Sequence, residues 1–184
     1  LKTKIKANVT LKFIKLETFR YESKLSQPLV NSQFTYHQRD GLIIKLYIDE
    51  YCGFGEVAPL MNFSKESLRQ VVWAIEEMRL GLDINCEYGE NELFSIFKLY
   101  TEDYPTLNFA LDIALLDVLA QKSNISIGRH LYKNSSKSIK FTSCFSNPIS
   151  STSVKVKFSG EQIIDDIKLF KKNTVNHPKN IKYR

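Results

Sequence analysis

Val154-Lys155-Val156-Lys157-Phe158 is the stretch whose residue types and spacing could do chemistry. A strand alternates its side chains between two faces, so Lys155 and Lys157 point one way and Val154, Val156 and Phe158 the other. Two ammonium groups side by side repel. On a solvated edge strand water screens them, and the lysines discourage aggregation. In a buried site, desolvation and like charge lower a lysine's pKa toward values that suit a base. The five residues alone leave both readings open.

The elements around this strand define its setting. Ile139–Phe145, then 154–158, then a helix over Glu161–Lys172 and a further strand from Asn180 give a β-α-β rhythm, the start of a parallel β/α array. Ile163, Ile164, Ile167 and Phe170 form the inner face of that helix. The first part of the chain reads differently. Residues 4–14 alternate apolar and polar, with Leu11 and Phe13 on the apolar face, as a half-buried antiparallel strand does. Residues 17–40 are polar and irregular and read as a long loop. Leu42–Ile48 and Cys52–Val57 read as two strands joined by a turn at Asp49-Glu50. Ser64 reads as the N-cap of a helix that Gly81 closes, and Glu90–Leu99 as a shorter helix. Pro105 sits at the first position of a helix running to about Gln121. That helix is apolar on most sides, Phe109 included, and is expected to be buried nearly all round. Asp112 and Asp117 interrupt it. Five residues apart, they do not share a helix face, so they read as structural partners for helix ends or arginines, not as a metal pair.

Composition bounds the possibilities. The 184 residues suffice for one domain or for one plus part of another. No apolar run is long enough to span a bilayer. Cys52, Cys86 and Cys144 have neither disulfide-like nor metal-like spacing, which suits a reducing compartment. The net charge of +6 comes from lysines spread along the chain with no nucleic-acid-reading motif. An anionic small-molecule substrate fits the charge as well as nucleic acid would, and the expected partners are such a small molecule, with no nucleic acid and no membrane.

An antiparallel sheet, helices, then a β/α array entered through a Lys-x-Lys strand resembles the enolase superfamily, and within it the o-succinylbenzoate synthase family of menaquinone and phylloquinone synthesis. Four stretches carry the resemblance: Gly53-Phe54-Gly55-Glu56-Val57-Ala58-Pro59-Leu60 with Phe63-Ser64-Lys65-Glu66-Ser67 after it, Phe109 to Asp117, Val154 to Lys157, and Ile181 to Arg184. The resemblance implies an α+β capping domain over residues 1–135 and the first strands of an incomplete (β/α) barrel over 136–184. It implies Lys157 as the acid/base that takes a proton from the carbon beside a carboxylate, with Lys155 as electrostatic support. The reaction would dehydrate 2-succinyl-6-hydroxy-2,4-cyclohexadiene-1-carboxylate to 2-succinylbenzoate. Residues 17–40 and the loop 53–63, with Gly53, Gly55 and Glu56, would be the specificity segments. Arg20 and Arg39 could meet a carboxylate or remain solvated.

The family uses Mg²⁺ to stabilise the enediolate, held by carboxylates on later barrel strands than this sequence contains. Asp165 and Asp166 fall in an outer helix and His177 is alone, so no metal ligands and no bound cofactor are expected for this chain. The expectation is a truncated, inactive portion of an enzyme from a bacterial cytoplasm or plastid stroma. The alternatives are a dipeptide epimerase, N-acylamino-acid racemase or cycloisomerase of the same superfamily, or a non-catalytic capping module that pairs with another chain.

Overall fold

The structure, a computed structural model, describes residues 10–30, 33–136 and 138. The β/α elements expected after residue 138, with Lys155, Lys157, Asp165, Asp166 and His177, lie outside the described residues. The chain divides into two compact units, Leu1–Ser26 with Gln38–Ser135, and Gln27–His37 with Ser136–Arg184. In the second, the rings of Phe34 and Tyr36 lie 6.2 Å apart.

The first unit is built from β1 (Thr10–Val30, whose last residues belong to the second unit), β2 (Thr35–Ile48, whose first residues do), β3 (Tyr51–Val57), α1 (Leu68–Gly81), β4 (Glu87–Gly89), α2 (Glu90–Thr101), α3 (Pro105–Lys122) and α4 (Ile127–Leu131). The strands form one sheet in the order β3-β2-β1-β4. β2 and β3 pair antiparallel from Leu42↔Val57 to Ile48↔Tyr51, and β1 pairs antiparallel with β4 at Thr10↔Gly89. This is the expected capping-domain architecture of antiparallel strands followed by helices.

The period-two pattern survives in the packing. Leu42, Ile44, Leu46 and Ile48 of β2 are buried with Leu11 and Phe13 of β1, against Val71, Ile75 and Met78 of α1 and Leu111 and Leu115 of α3. Asp49 turns the β2–β3 hairpin with φ 51°, a left-handed conformation that Asp tolerates better than most residues. Its carboxylate accepts the Lys12 amide at 3.0 Å and the Lys122 ammonium at 2.7 Å, joining β1, the hairpin and the end of α3. Burial opposes the charge on Asp49, but these two donors outweigh it and hold its carboxyl below the usual carboxylate range.

Three sequence expectations need correction. Residues 17–40 are not one loop: 17–30 belong to β1 and 35–40 to β2, which are neighbours in the sheet. Beyond Leu16 most β1 side chains are exposed or half-buried, so the apolar alternation that announces a strand is missing although the backbone pairing is present. The N-cap of α1 is Ser67, which forms a capping box with Gln70, and not Ser64. Ser64 instead accepts the Leu60 amide at 2.8 Å and closes the preceding loop. Phe109 is 63% exposed, because α3 spends its small residues on the strand side and leaves Phe109 on another.

Candidate functional site

The Gly-Phe-Gly-Glu stretch lies on β3, an edge strand, and not in a loop. Gly53, Gly55 and Val57 face inward, and Phe54 and Glu56 face outward. A Cβ on Gly53 would overlap the carbonyl oxygen of Ala114, and one on Gly55 that of Ala110. The glycines therefore act through close approach: they let the α3 backbone lie directly on the strand. Ala110 and Ala114 on the helix match Gly55 and Gly53 on the strand because four helical residues rise about 6 Å and two strand residues about 6.7 Å.

A second row repeats this match. Asp117 accepts the Phe54 amide at 3.1 Å, and Gln121 donates to the Cys52 carbonyl at 2.9 Å. These backbone groups point off the open side of the sheet, where α3 supplies the partners that another strand would supply. Asp117 thus serves neither a helix end nor an arginine, as its sequence position suggested, but a strand amide. Asp112 joins a different chain of bonds: Thr101 donates to Asn108 at 2.8 Å, and Asn108 to Asp112 at 3.1 Å. Burial raises the Asp112 pKa, and the Asn108 bond opposes the rise.

β3 leads into the loop 58–66, which is anchored at both ends. Arg39 donates to the Ala58 carbonyl at 2.6 Å. At the far end, Glu66 is buried and accepts the Thr106 amide at 2.7 Å, in the first turn of α3. That helix has no capping side chain of its own, so Glu66 supplies one, placing negative charge at the positive helix end. Lys65 pairs with Asp103 at 2.8 Å, an exposed pair of small worth. Within the loop the amides of Phe63 and Ser64 both return to the Leu60 carbonyl, and Asn62 takes a φ of 62°. Met61 and Phe63, 73% and 77% exposed, stand at its crest.

The outer face of the sheet carries three cross-strand contacts. The Tyr21 hydroxyl bonds the Glu56 carboxylate, with β2 between their strands. Lys45 lies between the Phe19 and Phe54 rings, 4.7 and 5.6 Å from their centroids. Lys15 lies 4.6 Å from the Tyr47 ring and 2.6 Å from Glu17. Burial, reinforced by the Glu56 carboxylate, pushes the Tyr21 phenol up to about 12.

Of the sequence-proposed residues, Gly53, Gly55 and Glu56 come together with the loop root, and Arg39 joins them as a backbone anchor. Arg20 does not: it sits 3.8 Å from Asp40 and lines a shallow surface groove of about 350 Å³ with Leu68, Arg69, Val72 and Trp73. Tyr21 and Gly41 had no sequence signal, and the role of Glu66, which lies in a stretch that carries the resemblance, had none either, since these contacts span 16 to 40 residues. Among the described residues no group of three or more His, Cys, Asp or Glu could hold a metal ion such as Mg²⁺. No helix among them is long and apolar enough to cross a membrane.

This architecture recurs in solved enzymes. The dipeptide epimerase of Methylococcus capsulatus, solved with Mg and the dipeptide L-Arg-D-Lys, aligns over 90% of this chain and 52% of its own with a TM-score of 0.76 at 17% identity. The dipeptide epimerase of Enterococcus faecalis, with Mg and L-Leu-L-Tyr, aligns over 91% and 52% with a TM-score of 0.75, also at 17% identity. A protein of Listeria innocua described as a member of the enolase superfamily aligns over 89% and 49%, with a TM-score of 0.65 at 18% identity. The fold is therefore that of the N-terminal capping domain of the enolase superfamily. Sequence then narrows the class: the MenC N-terminal domain matches residues 13–118, and the chain belongs to that family. The o-succinylbenzoate synthases of Yersinia pestis and Yersinia pseudotuberculosis are 38% identical over 58 residues, which is 32% of this chain. The matched stretch spans 18% of the length of those relatives.

Proposed function

We propose that this chain provides the capping portion, and the catalytic lysine strand, of an o-succinylbenzoate synthase. The observation that carries the reading is the MenC N-terminal match over residues 13–118, which includes the Gly-Phe-Gly-Glu strand, the anchored loop and the whole of α3 except its last turn. The epimerases support the fold but, at 17% identity, not their substrates. The reaction is loss of water from an anionic cyclohexadiene carboxylate. Lys157 takes the proton from the carbon beside the carboxylate, and the Lys155 ammonium beside it favours the neutral form of the base and the developing enediolate. Lys157 then returns that proton to the departing hydroxyl, water leaves, and the ring becomes aromatic. The loop 58–66, which leaves Met61 and Phe63 exposed, is the segment that selects the substrate.

The test is a chimaera in which residues 13–118 replace the matching domain of the Yersinia pestis synthase. Formation of 2-succinylbenzoate, followed as the aromatic ring absorbs, supports the reading. A folded chimaera that epimerises dipeptides instead, or that turns over neither substrate, contradicts it. In a chain carrying the complete metal site, Lys157→Ala abolishes turnover and leaves the fold intact. Retained activity would remove Lys157 from the mechanism.

A further inference from the structure

Glu56 follows two glycines whose role is packing, yet it points outward and its carboxylate meets a side chain from two strands away. The contact is possible because of Gly41. A Cβ there would lie 2.7 Å from the Tyr21 hydroxyl and 2.8 Å from its Cε1, and 2.6 Å from the Val57 carbonyl oxygen. Gly41 therefore opens a slot in the middle strand through which the Tyr21 ring reaches β3. Two residues along β2, Arg39 grips the Ala58 carbonyl, two residues beyond Glu56. The two contacts bracket the point where the chain leaves the sheet.

We propose that Tyr21 and Arg39 are positioning residues for the loop 58–64: Tyr21, passing over Gly41, holds Glu56, Arg39 holds Ala58, and together they set the path on which Met61 and Phe63 are presented. Glu56 is then not a substrate contact. Its carboxylate acts through the loop that follows it. The Tyr21 phenol, pushed up to about 12, remains a hydrogen-bond donor throughout the physiological range. The far end of the loop is held independently by Glu66 on the Thr106 amide, so loss of the Tyr21 contact frees the loop root without unfolding α3.

This rests on the reading of the loop as the substrate-selecting segment, but the experiment reports the contact alone. Amide hydrogen exchange is measured on the 184-residue chain at residues 57–64, with the α3 amides of Leu111 and Leu115 as internal controls. Tyr21→Phe removes one hydroxyl and is expected to speed exchange at 57–64 roughly tenfold while the α3 amides stay unchanged. Glu56→Ala should match it, and Glu56→Gln, which keeps an acceptor oxygen, should stay near the parent. Exchange at 57–64 unchanged in Tyr21→Phe, an equal rise in α3, or Glu56→Gln as fast as Glu56→Ala would overturn the proposal. The substrate-selecting reading fails separately, if Met61→Ala in the chimaera leaves product selectivity unaltered.

Discussion

The two sides of β3 are held by opposite means. On the inner and open side, α3 lies on Gly53 and Gly55 with Ala114 and Ala110, and Asp117 and Gln121 pair the backbone of Phe54 and Cys52. On the outer face, exposed side chains reach across β2: Tyr21 to Glu56, and Lys45 between Phe19 and Phe54. The seam with α3 is a close approach of backbones and is intolerant of added volume. The outer contacts are partly solvated and individually weak. The seam therefore sets whether the domain folds, and the outer face sets where the following loop goes.

Substitutions can break that contrast. Gly55→Ala places a methyl group on the Ala110 carbonyl, and we expect a loss of about 2–3 kcal/mol in chemical denaturation. Phe54→Ala, one residue away but 48% exposed, should cost no more than about 1 kcal/mol by the same measurement. Comparable losses would mean that the helix does not lie on the glycines. Next in size is Glu66→Ala, which leaves the Thr106 amide at the start of α3 without its acceptor and should cost about 1–3 kcal/mol.

Two carboxylates sharpen the contrast through pH. Asp49 has a depressed pKa, so its contribution to stability is present above the unfolded value near 3.8 and is lost as pH falls through its folded value. Asp49→Asn should therefore lower the melting temperature at neutral pH and converge with the parent in acid. Asp112 has a raised pKa, so the folded state takes up its proton more readily and stability declines as pH rises from 3.8 through the folded value. Asp112→Asn, the smaller effect, should match or exceed the parent's melting temperature at neutral pH and lose that advantage in acid. Parallel pH curves for either pair would contradict the assignment.

The legible part of the fold is the part whose physics is local. β2, β3 and the α3 boundaries follow from alternation, a two-residue turn and Pro105. The structure places the β2–β3 turn and both ends of α3 within a residue or two of the expectation. The long β1–β2 pairing is illegible because its outer half buries little, so strand geometry persists there without an apolar pattern. Gly53 and Gly55 read in sequence as members of a specificity loop. Their use as contact points for a helix 55 to 61 residues away has no trace in local spacing. The role of Glu66 is hidden for the same reason, behind a serine that resembles a cap three residues too early.

The seam can be tested at one amide. Phe54 donates its backbone N–H to Asp117 on the open side of the sheet, where an unpaired edge-strand amide would exchange freely with solvent. Native-state exchange at Phe54 should be slow in the parent chain and at least about tenfold faster in Asp117→Ala, with Ile44 and Leu46 on the middle strand unchanged. A Phe54 amide that already exchanges rapidly in the parent would contradict the packing of α3 on β3, and with it the positioning of the loop that β3 supports.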